Sequence, residues 1–332
     1  MWLVFYIVVV VYLLAVVAWV GGALFNDLAK RKAVGWVLVG SWLVFVAAML
    51  FLIQSLTVFV IAISVLAVIA IFIWLTQKPS HDRQWEPNSS VLPRFEINGD
   101  RIVAIDVRNS QYRSATDYDL CHEDREYRIS ELVGVDAAIV FWGSELICHP
   151  MAIFDFGNDR HLCISIEARY QVGQPYDVFR SIYRQYEIMY VVSDERDAIL
   201  RRIKFSQGDF YLYRMQTDRE FAQKLFLEYV EATNKLFDRP KWYHGLVTNC
   251  STTIMFQRKE KVRWSWRMFI NGTFDRLLYE RGFLFDEISF QELKARSKIN
   301  DLARPLELED FSRTIRKDLP GFEQPDPANE GR

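Results

Sequence analysis

The stretch LICHPMAIFDFGNDRHLCISIEAR, from Leu146 to Arg169, reads as a β-hairpin turning at Gly157-Asn158-Asp159. A turn centred on Asn158 sets Phe154 against Leu162 and Ala152 against Ile164, giving one apolar face. On the other face Met151 opposes Ser165 and His149 opposes Glu167. Leu162, Ile164 and Ile166 alternate with His161, Cys163, Ser165 and Glu167, and a slip of one residue would set polar groups against the apolar row. Cross-strand neighbours hold their Cβ atoms about 4.5–5.5 Å apart. Glu167 would therefore accept from one ring nitrogen of His149 and fix its tautomer.

Around this hairpin the same alternation marks strands at Arg101–Val107, Val135–Trp142, Glu187–Val192 and Asp209–Met215. Asp218–Phe237 is an amphipathic helix: Phe221, Leu225, Tyr229 and Leu236 share a face, Asp218 caps it and Pro240 stops it. Helical patterns return from Thr248, at Phe274–Glu280 and at Phe290–Ser297. Strands first and helices later give an α+β fold, an antiparallel sheet covered by helices.

A nucleophile for His149 is found at Thr248-Asn249-Cys250-Ser251-Thr252-Thr253, which reads as the first turn of a helix. Unpaired N–H groups and the positive dipole end favour thiolate over thiol there. With Cys250 as nucleophile, His149 as base and Glu167 as orienter, the set follows the logic of acyl-transfer triads. The Cys250 N–H and Asn249 are candidate oxyanion donors, and Ser165 is a supporting residue beside the pair. His161 and His244 are competing histidines. A metal reading from Cys148, His149, His161, Cys163 and Cys250 is opposed by geometry, since adjacent Cys148 and His149 point to opposite faces of a strand.

Residues 1–76 are of another kind. Met1–Phe25, Ala33–Ile53 and Leu56–Leu75 are almost wholly apolar, and each meets the roughly 20 residues needed to cross a bilayer core. Three spans are expected. A re-entrant hairpin is the alternative for the last two, because Gln54-Ser55 is a short connection. A linker at 77–100, a domain at 101–318 and a disordered tail at 319–332 complete the organisation. The formal net charge of −2 argues against an electrostatic grip on nucleic acid. There is no glycine-rich phosphate loop, so no cofactor is expected, and four unpatterned cysteines leave the redox compartment open.

Five motifs resemble the bacterial Lnb N-terminal periplasmic domain family over about Lys78 to Asp301. They are Pro79-Ser80-His81-Asp82-Arg83-Gln84-Trp85, Asp106-Val107-Arg108-Asn109 with Tyr112-Arg113, Arg184-Gln185-Tyr186-Glu187, Ser193-Asp194-Glu195-Arg196-Asp197 and Thr248-Asn249-Cys250-Ser251-Thr252. The resemblance implies a circularly permuted papain-like fold in which the histidine strand precedes the cysteine helix, with His149, Glu167 and Cys250 as its three residues. Pro150 departs from the small hydroxyl residue expected after the histidine. The family name implies thiol-mediated acyl transfer in the envelope, with membrane lipids or lipoproteins as substrates; a cysteine peptidase or amidase and a non-catalytic envelope module are the alternatives. Lys30-Arg31-Lys32 would place the C-terminal domain in the cytoplasm by the positive-inside rule. The resemblance implies the periplasm instead, on an inner-membrane, multi-pass chain.

Overall fold

A computed structural model describes residues 2–29, 31–114, 117–245, 271–303 and 310–322. The chain divides into two compact units. One holds Met1–Arg83, Gln174–Glu187 and Lys241–Gly245; the other holds Gln84–Gly173, Ile188–Pro240 and the described part of Leu246–Arg332.

In the first unit, α1 (Trp2–Ala23) continues into a π-helical turn at Leu24–Leu28, followed by α2 (Lys32–Leu52) and α3 (Leu56–Thr76). All three are long and apolar enough to cross a bilayer, at 27, 21 and 21 residues. Small and polar residues let them approach. Gly35 faces the Phe25 ring at a distance no Cβ would tolerate, and Trp42 Nε1 donates to Val17 O at 3.1 Å. Tyr12 and Ser64 share a hydroxyl hydrogen bond of 2.8 Å between α1 and α3. Trp74 Nε1 donates to Asp27 at 3.0 Å, so the end of α3 lies beside the end of the first span. Arg31 and Lys32, at the start of α2, therefore share an end of this unit with Gln77.

The second unit is a mixed α/β domain. After a short helix α4 (Pro87–Ser90) come β1 (Arg94–Asn98), β2 (Arg101–Arg108), β3 (Gln111–Tyr112), β4 (Tyr118–Asp119), β5 (His122–Arg128) and β6 (Gly134–Phe141). There follow β7 (Cys148–Asp155), β8 (His161–Arg169), β9 (Glu187–Asp194), α5 (Glu195–Leu200) with a π-helical turn at Arg201–Phe205, β10 (Asp209–Arg214) and α6 (Arg219–Asp238). Helices α7 (Phe274–Glu280), α8 (Phe290–Arg296), α9 (Asn300–Ala303) and α10 (Phe311–Arg316) complete it. The main sheet runs β1-β2-β9-β8-β7-β6-β10, with β5 also on β2. The resolved pairings are antiparallel except β2 with β9, which run parallel through Arg108 and Ser193.

The hairpin register is the one read from sequence: Phe154 faces Leu162, Ala152 faces Ile164 and Met151 faces Ser165. Its turn places Gly157, Asn158 and Asp159 at φ of 74°, 53° and 58°, a left-handed run that glycine, asparagine and aspartate tolerate best. The expectation of a single apolar face needs correction. Met151, Ile153 and Cys163 are as buried as their neighbours, packed against Ala198, Ile199 and Ile203 and against Ile299, Phe311 and Ile315. On the opposite face the rings of Phe226 and Tyr229 on α6 meet Phe154 at 5.0 and 5.6 Å. Helices therefore cover both faces of the central strands. The small polar residues Cys163 and Ser165 give the second face a polar look in sequence alone.

The α6 helix forms as its pattern requires, with the Asp218 carboxylate accepting from Phe221 N at 2.7 Å. The β1 strand lies in the stretch read as linker and is clamped by Asn234, whose amide pairs with both N and O of Phe95 at 2.8 Å. Leu319 is buried and Phe322 packs on the same core, beyond residue 318 where the domain was expected to end.

Candidate active site

His149 stands on β7, and Ser165 and Glu167 stand two apart on β8, so all three share one sheet face. Pro150 has no N–H, and the β7–β8 ladder extends no further toward His149 than Met151 with Ser165. The direct contact expected between Glu167 and His149 is therefore a bridge. His149 Nε2 lies 4.0 Å from Glu167 Oε1, and the Ser165 hydroxyl fills the gap, 2.7 Å from Nε2 and 2.9 Å from the carboxylate. Ser165, read as a supporting residue, is the link.

The fourth member was not expected. Arg202, in the π-helical turn after α5, donates to Glu167 Oε1 at 2.5 Å and lies 3.4 Å from both Ser165 Oγ and His149 Nε2. Its other nitrogen Nη1 donates to Ala198 O at 2.9 Å. Ala198, Ile199 and Ile203 seat this segment in the core, and the wider π turn brings the charged Arg202 to the sheet. Behind it, Arg108 at the end of β2 clamps Asp197 of α5, with Nε at 3.0 Å and Nη2 at 2.7 Å from Oδ1. Ser110 N donates to the other oxygen at 2.7 Å.

Charge states follow from these neighbours. Burial would raise the Glu167 carboxyl, but Arg202, then Arg201, His149 and Arg108, hold it well below the usual carboxylate range. Burial, reinforced by Arg202, lowers His149 to about 4 and outweighs the upward pull of Glu167. At neutral pH Glu167 is thus an anion that only accepts, and the single hydroxyl hydrogen of Ser165 goes to it. Ser165 then accepts from His149, so Nε2 carries the hydrogen and the lone pair is left on Nδ1. That is a neutral base with a fixed tautomer. The His149 and Glu167 side chains remain 12% and 16% exposed, so the site is reachable.

The proposed nucleophile Cys250 and the oxyanion candidate Asn249 lie outside the described residues. Of the other cysteines, Cys163 is buried and its thiol is pushed up to about 12 by burial, which makes it inert. Cys148 is buried on the opposite side of β7 from His149, among Phe274 and Leu277. Cys121 is exposed on the chain between β4 and β5. His161 sits near the far end of the hairpin, buried between Asp155 at 3.6 Å and Glu195 at 3.4 Å. His244 belongs to the first unit.

The loop from β6 to β7 borders the site. Trp142 lies 6.0 Å from the His149 ring, and Trp142, Leu146 and Ile147 are exposed. Arg202 and Arg108 escaped the sequence reading because neither has a periodic signal. A clue was present in the Asp106–Asn109 and Ser193–Asp197 motifs, which supply the two halves of the Arg108–Asp197 clamp.

Residues 120–264 match the model of the Lnb N-terminal periplasmic domain family. No curated protein and no solved structure gives a match. With three apolar helices at the N-terminus, this similarity indicates a membrane protein with a periplasmic C-terminal part.

Proposed function

We propose, from the premise that residues 120–264 form an Lnb-type periplasmic domain, that the chain is a multi-pass inner-membrane cysteine acyltransferase of the bacterial envelope. One observation carries this reading: a neutral, largely buried His149 whose Nε2 donates to Ser165, which in turn is held by Glu167 and Arg202. Nothing in a purely structural strand histidine requires a three-residue relay to choose its tautomer. The order of His149 before Cys250 suits a permuted papain-like arrangement.

In the proposed reaction His149 Nδ1 takes the Cys250 thiol proton, and the thiolate adds to an acyl ester carbonyl. The tetrahedral oxyanion is held by the Cys250 N–H and Asn249. The C–O bond breaks, and His149 returns its proton to the leaving alcohol, which leaves a thioester. An acceptor amine attacks that thioester, passes its proton to His149, and the thiolate departs. The exposed Trp142, Leu146 and Ile147 beside His149 support a fatty acyl donor over a soluble peptide. A periplasmic domain sets Arg31 and Lys32 on the periplasmic end of the helices, against the positive-inside tendency of one short basic cluster.

The direct test is labelling of membranes with an alkyne fatty acid. Wild-type chain should carry a hydroxylamine-sensitive acyl group and Cys250→Ala should carry none. Full labelling of the alanine variant would exclude Cys250 as the acyl carrier.

A pH profile tests Arg202 as a positioning residue. The base must be unprotonated, so acylation falls as pH drops through the His149 pKa, placing the acid limb near pH 4. Arg202→Leu removes a cation that lowers this pKa and frees Glu167 to raise it. The limb is expected to move toward neutrality, and an unmoved limb would reduce Arg202 to a packing role.

A further inference from the structure

The segment Gln174–Glu187, between β8 and β9, belongs to the same compact unit as the three apolar helices. Its second half is stitched to their ends. Gln185 Nε2 donates to Asn26 O and to Asp27, both at 2.7 Å. Arg184 lies 4.3 Å over the Trp74 ring and donates to the carbonyls of Leu75 and Gln77. Tyr183 occupies the space that any Cβ at Gly22 would need, and its ring is 6.5 Å from Trp19. Gly22 is six residues before Leu28, where the first apolar helix ends, which is about 9 Å along the helix.

Rings gather at this level. Trp19 meets Trp74 at 5.6 Å, and Trp242 donates from Nε1 to Gln77 O at 3.2 Å. Tryptophan and tyrosine in such a ring mark the bilayer–water interface of a membrane protein. The first half of the segment is largely exposed. Tyr176, Val178 and Phe179 are 48%, 50% and 78% exposed, just before a 3-10 turn at Arg180–Ile182. Phe179 stands four positions before Tyr183, a reach of at most about 14 Å. Three large, mostly apolar side chains within four residues of one loop, interrupted only by Asp177, are costly in water and favourable in the interface.

We infer that Gln174–Tyr183 is a membrane-inserting loop, with Val178 and Phe179 entering the leaflet reached by the ends of α1 and α3. Its partner is the phospholipid surface, and Tyr176 and Tyr183 sit at headgroup depth. The inference rests on the reading of the three apolar helices as membrane spans. Strand β8, which carries Ser165 and Glu167, runs on in the chain to this loop.

The test uses the full chain, with Cys121→Ser and Cys250→Ser, in vesicles of phosphatidylethanolamine and phosphatidylglycerol. Single nitroxide labels are placed by Phe179→Cys, by Val65→Cys on α3 and by Glu96→Cys on β1. Electron paramagnetic resonance then compares collisions with oxygen, which concentrates in lipid, and with a water-soluble nickel chelate. The expected result is a Phe179 label favouring oxygen over nickel, between the Val65 label in the lipid and the Glu96 label in water. A Phe179 label matching Glu96 while Val65 remains shielded would overturn the loop alone. A Val65 label in water would overturn the spanning reading, and the loop with it. Phe179 is 78% exposed, so its replacement leaves the fold intact as the reference for both outcomes.

Discussion

His149→Ala is expected to lower acyl-thioester formation by about 10² to 10⁴-fold at pH 7. An ordinary cysteine is only a few per cent thiolate at that pH, so a base has to supply the nucleophile as the reaction proceeds. His149 suits this role because it is neutral: burial and Arg202 hold it to about 4, far below the working pH. Its Nε2 hydrogen is committed to Ser165, so Nδ1 is the basic atom. Without the imidazole, solvent hydroxide has to deprotonate the thiol, and the residual rate should climb with pH toward the free thiol value of about 8.5. Burst kinetics of thioester formation across that range would show it. An alanine variant with an unchanged rate and a flat profile would remove His149 from the chemistry.

The largest expected loss of stability comes from Arg108→Leu. The Arg108 and Asp197 side chains are only 3% and 0% exposed, and the carboxylate accepts two N–H bonds from the guanidinium and one from the Ser110 backbone. Removing the cation leaves a buried carboxylate without its counter-ion, which costs about 3–5 kcal/mol. For a domain of this size that lowers the melting temperature by about 10 °C. Scanning fluorimetry of the detergent-solubilised chain would measure it. Arg108→Leu with Asp197→Leu should regain at least half of the loss, because no uncompensated charge then remains. A single variant melting within about 2 °C of the parent would show that the pair is not what holds α5 to β2. Acylation should fall in the single variant as well, since Asp197 lies on α5, which leads directly into the π turn that carries Arg202.

Long, strongly patterned elements were legible before any coordinates. The three apolar helices match their expected ends within three residues, because a run of about 20 apolar residues admits few other structures. The hairpin register was legible because a one-residue slip would set the polar row of Ser165 and Glu167 against the apolar row. Helix α6 announced both of its ends. By contrast, β1 buries only Phe95 and β5 only Tyr127, so neither carries an apolar alternation to read. Helix α5 and its π turn are short and charged, and their sequence resembles a solvated surface.

The same division applies to the site. From sequence alone, the pattern of alternation put His149, Ser165 and Glu167 on one face of one hairpin, since side-chain direction along a strand is a local property. Only the tertiary structure decided how they connect. Ser165 stands between imidazole and carboxylate because Pro150 lies beyond the paired ladder, and Arg202 closes the chain because burial of Ala198, Ile199 and Ile203 carries it there. Contacts of that kind join residues dozens of positions apart. They are selected by packing and by the cost of leaving a buried charge alone, and neither leaves a period in the sequence.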